Sequence, residues 1–185
     1  MTTQDHIVKR YKKNPILTKD DVPYPVATVH NAGIVKHNGR YIMLFRSHMH
    51  NGRSIIGRAD SDDGFSFTVH PEPFLTPAKE SIFATYEEFG VEDLRINPME
   101  GEYLLTYSAY SRHGVRIVLA RTKDFKSIER VALITQADLR NVLFSLRNSE
   151  DDTRVWTGRI PKFHPGPSGF PIPRTWCTGA IHGLS

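Results

Sequence analysis

The sequence predicts an all-β chain: repeated four-stranded units of the propeller-blade kind, followed by an irregular carboxy-terminal tail. Three observations carry that prediction. Short apolar runs alternate with turn signals from Asn31 onward, no segment before Leu139 keeps a helical period, and the strand pattern recurs after about sixty residues.

The elements follow in order. Residues 1–13 read as a polar arm carrying Lys9, Arg10, Lys12 and Lys13, and Asn14-Pro15-Ile16-Leu17-Thr18 opens the globular part. Then come Ala32–Val35, Asn38-Gly39, Tyr41–Phe45, Asn51-Gly52, Ser54–Gly57 and Asp62-Asp63-Gly64. Asn-Gly and Asp-Gly tolerate positive φ and close hairpins, so this is a β-meander. Its text returns: Gly39-Arg40-Tyr41-Ile42 as Gly101-Glu102-Tyr103-Leu104, Ser54–Ala59 as Val115–Ala120, and Ser61–Phe65 as Thr122–Phe125. Tyr41 and Tyr103 lie 62 positions apart, Ala59 and Ala120 61. Repeats of short strands passing from turn to turn signal propeller blades, although the usual blade period is roughly 40–50 residues. The excess falls in Pro71–Glu92, and long loops in compact domains are often functional.

That loop ends in Glu87-Glu88-Phe89-Gly90-Val91-Glu92-Asp93-Leu94-Arg95, four carboxylates within seven residues and then an arginine. The run reads either as a solvated charged loop capping a strand or as a place for acid chemistry. In an extended chain Glu92 and Asp93 point to opposite faces, so they are not expected to act as a pair on one substrate face.

Composition narrows the classes. With 185 residues, 39% hydrophobic and 24% charged, the chain can bury one core. A net charge of +4 and a pI near 9.2 suit an anionic partner without requiring one. One cysteine, Cys177, excludes an intrachain disulfide and a cysteine-rich metal site. No stretch is long enough to span a membrane and the start lacks a secretory core, so a soluble, cytoplasmic protein is expected. His48 and His50 share a strand face but have no third ligand near them, so no metal site is expected. The basic run Lys9–Lys13 lacks an aromatic platform for nucleic acid and reads as a solvated arm.

The ordered series Asn14–Thr18, His30-Asn31-Ala32-Gly33, Leu44-Phe45-Arg46, Ala59–Gly64, Tyr86–Asp93, Tyr107–Ser111, Gly114–Ile117 and Thr122–Phe125 resembles the amino-terminal part of glycoside hydrolase family 130 over residues 14–144. These are β-mannoside phosphorylases and related mannosidases on a five-bladed β-propeller. The resemblance implies a fragment of such a propeller: about two blades and the start of a third.

It further implies that Asp93 is the acid that protonates the glycosidic oxygen. Asn31, Arg46 and Arg53 line the sugar subsite, Arg95 orients the acid, and Tyr110 faces the site from the next strand. No cofactor is implied, because inorganic phosphate is the co-substrate and attacks the anomeric carbon from the opposite face. The partners are thus a β-mannoside oligosaccharide and phosphate, in a family whose members often form homo-oligomers. A lone acid suffices when the nucleophile is phosphate, whereas inverting hydrolysis needs a second carboxylate. An acid that is protonated near neutral pH implies a pKa raised by partial burial. Leu94 stands where the family usually has proline, which implies looser backbone placement of Asp93.

Beyond Phe144 the resemblance ends, and the proline-rich stretch 145–185 reads as irregular. Read one base out of frame, the codons for Arg174–Gly179 allow Asp-Leu-Val-His-Trp, and those for Thr153–Arg159 allow Tyr-Thr-Arg-Leu-Asp-Arg-Pro. Both look like third-blade text of the family. The expectation is therefore a frameshift near Phe144 and a truncated chain of marginal stability, because an unclosed propeller leaves a sheet edge unpaired. Three function classes stand: an enzyme of the mannoside phosphorylase lineage, a non-catalytic remnant or sugar-binding fragment, and a basic interaction protein.

Overall fold

The computed structural model describes residues 10–135, together with the backbone of two short strands at 146–149 and 152–155. Eight strands form two successive antiparallel meanders. The first comprises β1 (Thr28–His37), β2 (Arg40–His48), β3 (Ser54–Ser61) and β4 (Thr68–Val69), and the second β5 (Gly90–Met99), β6 (Glu102–Ser111), β7 (Gly114–Thr122) and β8 (Glu129–Leu133). These are two blades of a propeller. The position expected for the start of a third, residues 136–144, lies outside the described residues, as do residues 1–9 of the arm. Strands β9 (Leu146–Ser149) and β10 (Asp152–Val155) pair antiparallel, so a short hairpin stands within the stretch that the sequence predicts to be irregular. Among the described residues no helix is long and apolar enough to cross a membrane.

The repeat holds down to single hydrogen bonds. Ser61 Oγ accepts the N–H of Gly64, and Thr122 Oγ1 accepts that of Phe125. Asp63 Oδ1 takes the N–H groups of Phe65 and Ser66, and Asp124 Oδ1 those of Lys126 and Ser127. Asx turns of this kind explain why an aspartate recurs at the same corner of each unit.

The two blades bury their facing sides together. Ile42, Leu44 and Ile56 from the first meet Val91, Leu94, Leu105, Tyr107 and Val118 from the second, with Leu75 of the long loop inserted. The other side of the first blade, Met43, Phe45 and Ala59, is covered by Ile16, Leu17 and Val22 of the entering chain. Burial on both faces is why residues 42–45 read as one continuous apolar run. One pairing joins the blades through the backbone: Ser54 lies parallel to Gly90. Gly90 has φ 141°, and a Cβ there would collide with Ser54, so glycine is required at this junction.

The long loop carries a feature the sequence did not predict, the six-residue helix α1 (Ser81–Tyr86), too short to show a period. It delivers Glu87 into the interior. Glu87 is fully buried, yet its carboxylate is saturated: it accepts from Tyr107 Oη (2.6 Å), from Ala78 N (2.7 Å) and from Arg130 Nε and Nη2 (2.9 Å each). Burial pushes the Tyr107 hydroxyl's pKa far up, and the Glu87 charge pushes it the same way, so Tyr107 stays a donor. A second buried acid, Asp60, is clasped by Arg58 through two 2.8 Å bonds and by His70 at 3.1 Å, while Arg58 Nη1 reaches across to the carbonyl of Phe125 in the second blade.

Two stability outcomes follow. Glu87→Ala strands Arg130 beside Tyr107 and is expected to lower the unfolding free energy by about 3 kcal/mol, read by urea denaturation; Glu87→Gln, which keeps the neutral hydrogen bonds, costs less. For Asp60, burial pushes the carboxyl up, but Arg58 and His70 outweigh it and hold it below the ordinary carboxylate range. A depressed folded-state pKa contributes stability that is present above the unfolded carboxylate's pKa and lost as pH falls through the folded value. Asp60→Asn is therefore expected to flatten the acid limb of a stability-versus-pH curve.

Candidate active site

Two β-bulges make the site. In β1 the pairing with β2 slips between His30 and Gly33, and in β5 the pairing with β6 slips between Glu92 and Arg95. Asn31 and Asp93 sit in these bulges with φ 47° and 54°, values that asparagine and aspartate adopt more readily than other residues with a side chain. They lie 62 positions apart, the same offset as the tyrosines of the repeat, so they hold one place in two consecutive blades. Bulges re-aim side chains, and here they aim two at each other: Asn31 Nδ2 donates to Asp93 Oδ1 at 2.7 Å. The strands approach closely at this point, since a Cβ on Gly33 would sit 3.1 Å from the carbonyl oxygen of Leu94.

Arg46 completes the arrangement from β2, directly across from His30. Its Nη1 donates to Asp93 Oδ1 (3.1 Å) and its Nη2 to Glu92 Oε1 (2.8 Å) and to His48 Nε2 (2.7 Å). A guanidinium only donates, so His48 presents Nε2 as an acceptor. Ser54 Oγ donates to the same Glu92 oxygen at 2.8 Å. The expectation that Glu92 and Asp93 diverge to opposite faces is thereby corrected. The bulge breaks the two-residue alternation between them, and both carboxylates reach one guanidinium. Side-chain exposure rises from 16% at Arg46 and 21% at Glu92 to 37% at Asp93, so the cluster opens to solvent at Asp93.

The protonation expectation is also overturned. Burial does push the Asp93 carboxyl up, but hydrogen bonds from Asn31 and Arg46, with the charges of Arg46 and Arg95, hold it below the ordinary carboxylate range. These neighbours keep Asp93 ionised at neutral pH. The looseness expected from Leu94 is not found either: Leu94 has no exposed surface and packs in the inter-blade core, so apolar burial fixes the residue after the acid.

The other expected residues divide. Arg95 is exposed, and its guanidinium donates to the carbonyl of Leu94 at 3.3 Å; it reaches Asp93 by charge and not by a hydrogen bond. Arg53 lies exposed in the β2–β3 turn, its N–H on Asn51 Oδ1, and among the described residues its side chain makes no hydrogen bond or ion pair to the cluster. Tyr110 pairs with Gly90, as Ser108 pairs with Glu92, which puts Tyr110 on the Glu92 face two residues along β6. It is 38% exposed and meets the Phe89 ring edge-on, centroids 5.4 Å apart.

Sequence reasoning missed His30, His48, Ser54 and Glu92 as members of the site. The 62-residue offset that aligns Asn31 with Asp93 also aligns His30 with Glu92, and that was the available signal. The His30 ring meets His48 at 5.0 Å in an edge contact. Burial pushes its pKa down, Arg46 and His48 pull the same way, and Asp93 and Glu92 oppose them, so the imidazole is neutral at pH 7. His30 Nε2 and Arg46 Nε are buried with no hydrogen-bond partner. Unpaired buried polar atoms are rare and call for an explanation. Here both belong to side chains grouped around Asp93. Among the described residues no group of three or more His, Cys, Asp and Glu side chains could hold a metal ion.

Known proteins resemble this chain in sequence and in fold. A family model described as β-1,4-mannooligosaccharide phosphorylase matches residues 3–152, which takes in part of the arm and runs a few residues past Phe144. The β-1,2-mannobiose phosphorylase of Listeria innocua is 25% identical over 194 aligned positions, covering 74% of this chain and 53% of its own. The 4-O-β-D-mannosyl-D-glucose phosphorylase of Bacteroides fragilis is 30% identical over 129, covering 61% of this chain and 31% of its own. The chain thus spans about half or less of the length of these curated relatives. The solved Listeria innocua β-1,2-mannobiose phosphorylase, in complex with β-1,2-mannobiose, superimposes with a TM-score of 0.70 at 23% identity, over 84% of this chain and 59% of that one, and so shares the fold.

The bond from Asn31 favours the charged form of Asp93, so losing it favours the neutral form. Asn31→Ala is expected to move the Asp93 titration to higher pH, read by carboxyl NMR of ¹³C-labelled protein.

Proposed function

The chain belongs to glycoside hydrolase family 130, the β-mannoside phosphorylases, and from that premise we propose that its site serves inverting phosphorolysis of a β-mannoside with Asp93 as general acid. In that reaction Asp93 gives its proton to the glycosidic oxygen as the bond from that oxygen to the anomeric carbon breaks. A phosphate oxygen forms a new bond to the same carbon from the opposite face, and the products are mannose 1-phosphate and the released sugar. No base is required, because phosphate is already anionic at neutral pH.

One observation carries the reading. Asp93 is the more exposed carboxylate of the cluster, and an amide and a guanidinium hold it in a β-bulge. An ionised Asp93 fits a proton taken up on binding. A sugar hydroxyl that draws Asn31 away, and an anion that offsets Arg46, both favour the protonated acid. Asn31 and Arg46 contact the mannosyl unit in this reading. Arg53, Arg95 and Tyr110 stand at its margin, where Arg95 adds positive charge and Tyr110 an aromatic face. The reaction calls for no cofactor.

A second reading, sugar binding without turnover, is favoured by the same ionised Asp93. Incubating the chain with β-1,2- or β-1,4-mannobiose and phosphate separates the two. Release of mannose 1-phosphate, lost by at least about 100-fold in Asp93→Asn with binding retained, is the expected result. Mannobiose binding by calorimetry with no phosphate ester formed would favour the binding reading.

A further inference from the structure

Glu92 takes no part in the proposed step, yet it is anchored twice. A single oxygen, Oε1, accepts from Ser54 Oγ and from Arg46 Nη2, each at 2.8 Å. Ser54 is the residue through which the two blades pair, at Gly90, so Glu92 ties Arg46 to the blade junction. A guanidinium is planar with a rigid fork of donors. Once Nη2 is fixed on Glu92, the direction of Nη1 is fixed too, and Nη1 is the arm on Asp93. One cation is therefore shared between two consecutive anions.

We propose that Glu92 is a positioning residue for Asp93: it orients Arg46 toward the acid and at the same time offsets the positive charge that Arg46 places on it. The inference rests on the general-acid reading of Asp93. The groups around Asp93 and its guanidinium are Asn31 and His30 from β1, Arg46 from β2 with His48 as an acceptor on it, and Glu92 and Arg95 from its own strand. Asn31 is neutral and His30 is neutral at pH 7, so the charged neighbours are two cations and Glu92. An acid catalyst facing two unopposed arginines would hold its proton poorly. The Glu92 carboxylate is the group that keeps protonation of Asp93 within reach of ligand binding.

Glu92→Gln separates charge from shape, because the amide oxygen still accepts from Arg46 and Ser54. Carboxyl NMR on the full chain should show the Asp93 titration midpoint moving to lower pH. In turnover, the alkaline fall of kcat should move to lower pH with KM little changed, which a purely structural role would not produce. An Asp93 midpoint that is unmoved or raised overturns the proposal. The unaltered chain gives a second readout free of any folding defect. Asp93 shares the Arg46 guanidinium with a second carboxylate, so its own curve should be broadened, with a Hill slope below one. A single-site curve would overturn the pairing. Both titrations read the coupling without turnover, so failure to cleave mannobiose would count against the catalytic reading and not against this one.

Discussion

Everything the site needs hangs on a carboxylate that water does not reach. Glu87 closes the long excursion between the blades by binding Arg130, Tyr107 and the backbone of Ala78, and its own carbonyl takes the N–H of Gly90 at 2.9 Å. That last bond starts β5. Gly90 then pairs with Ser54 and brings the second blade alongside the first, and three residues later the chain bulges at Asp93. A charged group is expensive to bury, and Glu87 tolerates it because each of its oxygens is hydrogen-bonded and one partner is a cation. Without those bonds the loop would have no fixed end, and β5 no fixed origin.

The acidic run then reads differently from a solvated loop. Glu87 goes to Arg130, Glu88 to Arg112, and Glu92 and Asp93 to Arg46. Arginines from three strands or turns distant in the chain are drawn to one seven-residue segment. Only the Glu88 pair lies at a well-exposed partner, with Arg112 67% exposed, and only that one behaves as a surface ion pair of small worth. The others set where backbone goes and which way a side chain faces.

The blades were legible in the sequence because they are local. Asn38-Gly39 and Asp63-Gly64 fix turns, and alternation and repetition fix the strands between. Asn31, Arg46 and Asp93 were legible through the resemblance, and the structure joins them. What stayed hidden depends on distance. A bulge inserts a residue without altering residue type, so the convergence of Glu92 and Asp93 on Arg46 left no mark in periodicity. The direction of the Asp93 pKa is a difference between burial and four opposing contacts, and no single residue in the text announces which prevails. Arg53 rested on the resemblance alone, and it lies exposed in the β2–β3 turn with its N–H on Asn51 Oδ1.

The paired bulges also say something about how a site arises from a duplicated unit. Two identical blades would carry the same side chain at positions 31 and 93. Two acids 2.7 Å apart could not both ionise, and two amides would leave nothing to deliver a proton. An amide in one copy and an acid in the other gives a donor facing an acceptor, from side chains that differ by a single terminal atom. The symmetry of the scaffold supplies the geometry twice, and breaking it at one position leaves one donor and one acceptor where two like groups would stand.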